Sequence, residues 1–210
     1  RQNIKNIILM IGDGMGPAQV YSGMTASLDP LNILKFPFSG FSITYSADNY
    51  ITDSAAGGTA ISSGVKTKNG MIGVAPDGSA VESIVAYAHA KGLATGVVST
   101  SAITHATPAS FVAHNSGRGN YEDIAKDFLN ETADVFIGGG QNHFLERKDG
   151  RNLIEELKMK GYEYASTLDE LSNVKGPKVA GLLAKEHMAT VSEGRQGALE
   201  KMTSKALEIL

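Results

Sequence analysis

The chain has 210 residues, 42% hydrophobic and 20% charged, with a formal net charge of -3. That is enough apolar chain to bury a core, and it lacks the basic excess that tracks nucleic acid or an anionic membrane. Cysteine is absent, which excludes disulfides, thiolate zinc sites and cysteine nucleophiles.

The elements follow in chain order. NIILMIG (Asn6 to Gly12) is a continuous apolar run closed by glycine, and reads as a buried parallel strand. GPAQVYSGMTAS can open a helix, with Pro17 acceptable in its first turn. GFSITYSA alternates and is rich in β-formers, so it reads as a strand. SAAGGTAISS is a short helix ended by Gly64, and SAVESIVAYAHAKG a helix stopped by Gly92. LATGVVSTS reads as a second buried strand. NYEDIAKDFLNET is amphipathic, with Asn120 in N-cap position and acids in the first turn. ADVFIGGG repeats the pattern of apolar strand and glycines. GRNLIEELKMKGYEYA is helix then strand, TLDELSN a short helix, PKVAGLLA a strand, and QGALEKMTSKALEIL a periodic helix. Strands alternating with helices predict an α/β fold: a mostly parallel sheet with helices on both faces. No internal repeat or linker divides residues 1-210, so one domain is expected. No apolar run approaches the roughly 18 residues that span a bilayer, and the opening residues lack signal-peptide anatomy.

Three stretches have residues suited to chemistry. In MIGDGMG, Asp13 follows the first predicted strand, where parallel sheets bind ligands. It is either an Asp-Gly turn or an exposed carboxylate flanked by Gly12 and Gly14. The glycine spacing is not that of a dinucleotide fingerprint. In ITDSAAGGTAISS, Asp53 or Ser54 is a helix N-cap, or Ser54 is a nucleophile at a helix start that attracts an anion. The G-x-S-x-G context of a Ser-His-Asp hydrolase is absent. In THATPASFVAHNSGRGN, His105 and Thr107 follow another strand, and Arg118 is a natural partner for phosphate oxygens. Thr107 offers a hard oxygen suited to Mg2+, and His105 an imidazole for a metal or a metal-bound water. His89, His143 and His187 read as surface or packing residues. His114 either falls on the same possible helix as Thr107 or is a packing residue.

Taken together, IKNIILMIGDGMG, TDSAAGGTAISSGVKTKNGMIGV and STSAITHATPASFVAHNSGR resemble the bacterial type of the alkaline phosphatase family, in order and spacing. The likeness extends over nearly the whole chain, and its specific part runs from Gly12 to Arg118. It implies hydrolysis of phosphate monoesters through a phosphoserine at a Zn2+/Mg2+ site. Ser54 would be the nucleophile and a metal ligand, and Asp13 would bridge a zinc and the magnesium. Thr107 would bind magnesium, and His105 would tune that site directly or through water. Arg118 would clamp the phosphoryl oxygens, with Asp53 orienting it. The resemblance further implies a homodimer, a periplasmic or secreted location, and phosphate monoesters and inorganic phosphate as ligands. A sulfatase core, C/S-x-P-x-R, is not present, and phosphodiesterases generally use threonine in a different context.

The sequence departs from the family pattern in one respect. The acidic magnesium ligand, the Asp and two His of one zinc, and the Asp-His pair of the other have no counterpart here. No D-x-x-x-H or D-H pattern occurs among the five histidines. The last predicted helix also runs to Leu210 without a following strand. The expectation is therefore the N-terminal portion of an alkaline phosphatase-like domain, incomplete at its C-terminus. The missing C-terminal half would supply the zinc cage, and the chain alone would turn over little or no substrate. The alternatives are a non-catalytic phosphate-binding α/β module and a structural fragment prone to aggregate.

Overall fold

The structure, a computed structural model, describes residues 4-210. They divide into two compact units, one ending at Ile43 and one spanning Thr44-Leu210.

In the first unit, helix α1 (Pro17-Ala26) begins as its sequence predicts. Pro17 takes the first helical position, where no N-H is required. The Gly16 N-H donates to the Gln19 side-chain oxygen at 3.1 Å. A 3-10 turn follows at Asn32-Lys35. The apolar run Asn6-Gly12 does not form the expected strand. Strand backbone needs a ladder partner for its N-H and C=O groups. Among the described residues no strand pairs with this run, and Ile7 and Met10 stay 78% and 79% exposed. Asp13 and Gly14 then form a tight turn, with the Met15 N-H donating to the Gly12 carbonyl and Gly14 at φ +67°.

The second predicted strand, GFSITYSA, is also irregular. Its end is held by loop contacts instead of a ladder: Ser46 N-H donates to Asn49 O, and Ala47 N-H to Thr67 O. Local β-propensity is overridden where no neighbouring strand completes the hydrogen bonding.

The second unit contains the sheet. Helix α2 (Ser54-Ser63) and helix α3 (Ile84-Ala90) precede strand β1 (Gly96-Ala102). Helices α4 (Ala106-Ala109) and α5 (Tyr121-Asp127) lead to strand β2 (Val135-Gly139). Then come α6 (Asn142-Leu145), α7 (Leu153-Met159), β3 (Glu163-Ala165), α8 (Leu168-Asn173), β4 (Val179-Leu182) and α9 (Ala198-Ile209). The four strands are parallel in the order β1-β2-β4-β3.

Alternation along the strands feeds two cores. Phe136, Ala180 and Leu182 join Leu153, Ile154 and Leu157 of α7 on one side. Val135, Ile137 and Val179 join Ala198, Met202 and Ala206 of α9 on the other. Helices thus cover both faces, as α/β alternation demands. β2 and β4 are buried throughout, whereas β1 is only half-buried. The expectation of a fully buried strand there is corrected by its place at the sheet edge. Phe128, Phe136, Phe144 and Tyr162 pack with ring centroids 4.9-6.2 Å apart, and each buried aromatic contributes roughly 1.5-3 kcal/mol.

The glycines after β2 have a steric reason. A β-carbon on Gly139 would overlap the carbonyl oxygen of Glu186. Gly140 takes φ +93° and donates its N-H to that same carbonyl at 2.8 Å. The loop after β2 therefore lies directly against the loop after β4. Replacing Gly139 with alanine forces these loops apart, and is expected to cost about 1-3 kcal/mol of stability, read as a lower urea midpoint.

Candidate active site

Asp53 sits at the N-cap of α2 with φ -90° and ψ 173°, and its Oδ1 accepts from the Ala56 N-H at 2.9 Å. Aspartate is among the best residues for this position because it satisfies one of the helix's orphan donors. Ser54 is the first residue of the helix proper and is half-buried. The helix closes at Gly64, in the left-handed conformation with φ 75°.

The other oxygen of Asp53 reaches across the unit. Oδ2 accepts from the Gly70 N-H at 2.9 Å and from Arg118 Nη1 at 2.9 Å. The Asp53 N-H donates to Asn69 Oδ1 at 3.0 Å, and the Arg118 N-H to Gly70 O at 2.8 Å. The 69-70 turn therefore bridges the helix cap to the arginine. The Arg118 and Asp53 side chains stay 31% and 25% exposed, so an anion in solvent can reach the guanidinium. Burial pushes the Asp53 carboxyl up, but the bonds from Ala56, Arg118 and Gly70 outweigh it and hold the group below its ordinary value.

A short antiparallel bridge sets the height of Arg118. Ile72 and Asn115 exchange both backbone bonds at 2.8 Å. Next to it, Gly73 adopts φ +58°, and a β-carbon there would overlap the Ala113 carbonyl oxygen. The Asn115 side chain accepts from Gly117 N-H and Asn120 Nδ2, each at 2.9 Å. Asn120 occupies the N-cap position of α5, but its side chain serves this turn and makes no capping bond.

Thr107 lies within α4, which starts after β1 with His105 at its N-cap position. α4 packs directly on α2. A β-carbon on Gly58 would stand 2.8 Å from Ser110 Oγ and 3.5 Å from the Thr107 Cα. Ser62 Oγ donates to the Ser110 carbonyl at 2.7 Å, locking the two helices. Gly58 thus lets the Ser54 helix approach the Thr107 turn. His114 lies outside α4, contrary to the expectation of a shared helix, because the helix ends after Ala109. Its N-H donates to Asp127 Oδ2 instead.

His143 and His187, expected as surface or packing residues, pack in a ring cluster with His105 and Tyr121. The His105 and His187 rings meet edge to face at 5.1 Å, and His105 stacks loosely on Tyr121 at 6.4 Å. Tyr121 stacks on His143 at 4.7 Å. His143 Nδ1 is 2.6 Å from Thr104 Oγ1, and its Nε2 is 3.3 Å from Glu186 Oε2. Burial pushes the His143 imidazole below its ordinary value, against the pull of Glu186. His187 Nδ1 accepts from the Ala102 N-H at 3.0 Å. The available signal was positional: the three histidines follow the carboxyl ends of β1, β2 and β4, where parallel sheets build sites.

The site residues therefore fall into three groups. Asp53, Ser54 and Arg118 are joined by hydrogen bonds and chain adjacency. His105 and Thr107 stand on the helix packed against α2. Asp13 belongs to the unit ending at Ile43. Among the described residues no three His, Asp or Glu side chains converge to hold a metal ion, so they do not form the cage of about four donors that zinc needs. The Thr107 hydroxyl is a hard oxygen donor of the kind Mg2+ takes, whereas the His105 imidazole suits Zn2+ better. No helix among the described residues is long and apolar enough to cross a membrane.

The family model described as Alkaline phosphatase matches residues 4-210. Alkaline phosphatase 4 of Bacillus subtilis (strain 168) is 39% identical, over 100% of this chain and 49% of its own length. The solved alkaline phosphatase from the Antarctic bacterium TAB5 superposes with a TM-score of 0.90 at 41% identity, over 94% of this chain and 59% of that one. A His-to-Asp variant of the same enzyme, with Mg bound in its M3 site, superposes with a TM-score of 0.89 at 40% identity, over 94% of this chain and 58% of that one. The chain spans about half the length of the curated relatives it matches.

Two outcomes test this geometry. A carboxyl whose folded pKa is depressed stabilises fully above its unfolded pKa of about 4, and that stability is lost as pH falls through the lower folded value. Asp53→Asn should therefore reduce stability at neutral pH and flatten its decline below about pH 4, followed by circular dichroism during acid titration. Gly58→Val should wedge α2 from α4 and cost about 1-3 kcal/mol, read from urea unfolding.

Proposed function

The chain belongs to the alkaline phosphatase family, and from that premise we propose that it carries the nucleophile side of a phosphate monoester hydrolase. The observation that supports this most directly is the shared carboxylate of Asp53. It caps the helix that Ser54 begins and holds Arg118 beside it. A helix N-terminus and a guanidinium both favour a phosphoryl group.

In this reading Ser54 Oγ, its proton released to water, attacks phosphorus in line with the ester oxygen, which leaves with the bonding electrons and takes a proton from water. Arg118 donates to the equatorial phosphoryl oxygens, and Asp53 orients the guanidinium. Water then attacks the phosphoserine, and inorganic phosphate leaves with Ser54 restored. Zn2+ and Mg2+ would lower the pKa of the serine hydroxyl and of the attacking water, and offset the phosphoryl charge. Asp13, Thr107, His105 and Ser54 would supply ligands, and the rest would come from sequence outside this chain. Thr107 would offer its hydroxyl to magnesium. The reading extends to a homodimer in a periplasmic or secreted setting.

The test is hydrolysis of p-nitrophenyl phosphate at alkaline pH by the full-length protein, with zinc and magnesium, beside acid trapping of radiolabelled phosphoserine. Ser54→Ala should abolish the label and lower kcat by roughly three orders of magnitude or more. Arg118→Ala should keep the label, raise KM and weaken inhibition by inorganic phosphate. Labelling that persists in Ser54→Ala overturns the assignment. Phosphate binding that ignores both chelator and Ser54→Ala would favour a non-catalytic binding module.

A further inference from the structure

We infer that Asn69 is a positioning residue for the phosphoryl site: its side chain fixes the entry into α2, and the turn it begins fixes Arg118. The inference rests on the reading above, in which Arg118 clamps the phosphoryl oxygens. Asn69 has no role in that reading, and it acts through Asp53 and Arg118.

Asp53 enters α2 as extended backbone, with φ -90° and ψ 173°. Among the described residues no strand pairs with residues 51-53. The Asn69 side chain takes the place of one. Its Nδ2 donates to the Ile51 carbonyl at 2.9 Å, and its Oδ1 accepts from the Asp53 N-H at 3.0 Å. A single primary amide thus satisfies two backbone groups, two residues apart, that would otherwise need a ladder partner. Aspartate in its place would lack the donor and would set a second carboxylate beside Asp53.

The main chain of the same turn completes the hold. The Gly70 N-H donates to Asp53 Oδ2 at 2.9 Å, and the Gly70 carbonyl accepts from the Arg118 N-H at 2.8 Å. Gly70 takes φ +85°, which glycine adopts at little steric cost. Asp53 Oδ2 is also the atom that receives Arg118 Nη1, at 2.9 Å. The guanidinium is partly exposed and takes its direction from Asp53, so a shift of Asp53 is passed on to it.

The turn is anchored from behind. The Asn69 N-H donates to Asp48 Oδ1 at 2.9 Å, and that oxygen also accepts from Ser46 Oγ at 3.0 Å. The bond from the Asn69 N-H holds the Asp48 carboxyl below its ordinary value. Contacts therefore run without a break from Asp48 through Asn69 to Asp53 and Arg118.

The test uses Asn69→Ala and Asp48→Ala in the full-length protein, each with and without Arg118→Ala. KM and kcat for p-nitrophenyl phosphate and the Ki of inorganic phosphate are measured with zinc and magnesium present. Phosphoryl-Ser54 is trapped with acid, and thermal unfolding is followed in parallel. Asn69→Ala should raise KM and Ki about fivefold, the scale of one lost hydrogen bond, and should still label Ser54. In the Arg118→Ala background the same change should shift them by less than about twofold, because the group it positions is gone.

An equal rise in both backgrounds overturns the inference, since Asn69 then acts independently of the arginine. Unchanged KM and Ki beside a lowered unfolding midpoint also overturn it, since Asn69 then serves folding alone. Either result, with Ser54 labelled in wild type, leaves the hydrolase reading intact. A wild-type protein that neither labels Ser54 nor is inhibited by phosphate overturns both. If Asn69→Ala fails to fold, the exposed Asp48 decides the matter. A rise of about threefold in Asp48→Ala that vanishes with Arg118→Ala supports the inference, and no rise refutes it.

Discussion

One carboxylate organises the candidate site. Asp53 accepts from a helix N-H, from a turn N-H and from a guanidinium. Each bond to an ionised acceptor is stronger than its neutral equivalent. Together they make the start of α2, the 69-70 turn and the Arg118 loop a single rigid piece. Without this side chain, the helix loses its cap, the turn its anchor and the arginine its orientation. The ion pair is too exposed to rank as a large source of stability by itself. Its effect is geometric: it fixes where a positive group stands relative to the first turn of the helix.

The second constraint is close backbone approach. Gly58 lets α2 sit on α4, Gly73 lets the 72-115 bridge form, and Gly139 lets two loops touch. None of these contacts tolerates a β-carbon without movement. They explain why a chain with 24 glycines forms a defined site and not merely a flexible surface. Gly139 sits where the loops at the carboxyl ends of β2 and β4 crowd together.

Much of this was legible in the sequence. The helix from Ser54 to Gly64 reads directly, because Asp53 is a strong cap and Gly64 a strong stop. β2, β4 and α9 follow from apolar runs and helical periodicity. The link between Asp53 and Arg118 came from family resemblance, since no local pattern encodes a contact across 65 positions. Two strands failed for a physical reason: Asn6-Gly12 and the segment around Thr44 carry β-forming side chains, but pairing is a property of neighbours and not of the segment. The aromatic group around His105 was missed because its members come from three separate loops. Each histidine alone looks ordinary, and only the strand order brings them together.

The length of chain between Asp53 and Arg118 also bears on when the site appears during folding. Closing a loop of 65 residues carries an entropic cost that must be met before the ion pair gives anything back. Parallel strands add crossovers that are slow for the same reason. Helix α2 can form early from local contacts, but its cap is fully engaged only when the Ile72-Asn115 bridge has closed. The arrangement thus acts as a checkpoint: an ordered anion-binding corner reports that distant parts of the chain have already found one another, and partly folded molecules display the serine without the arginine.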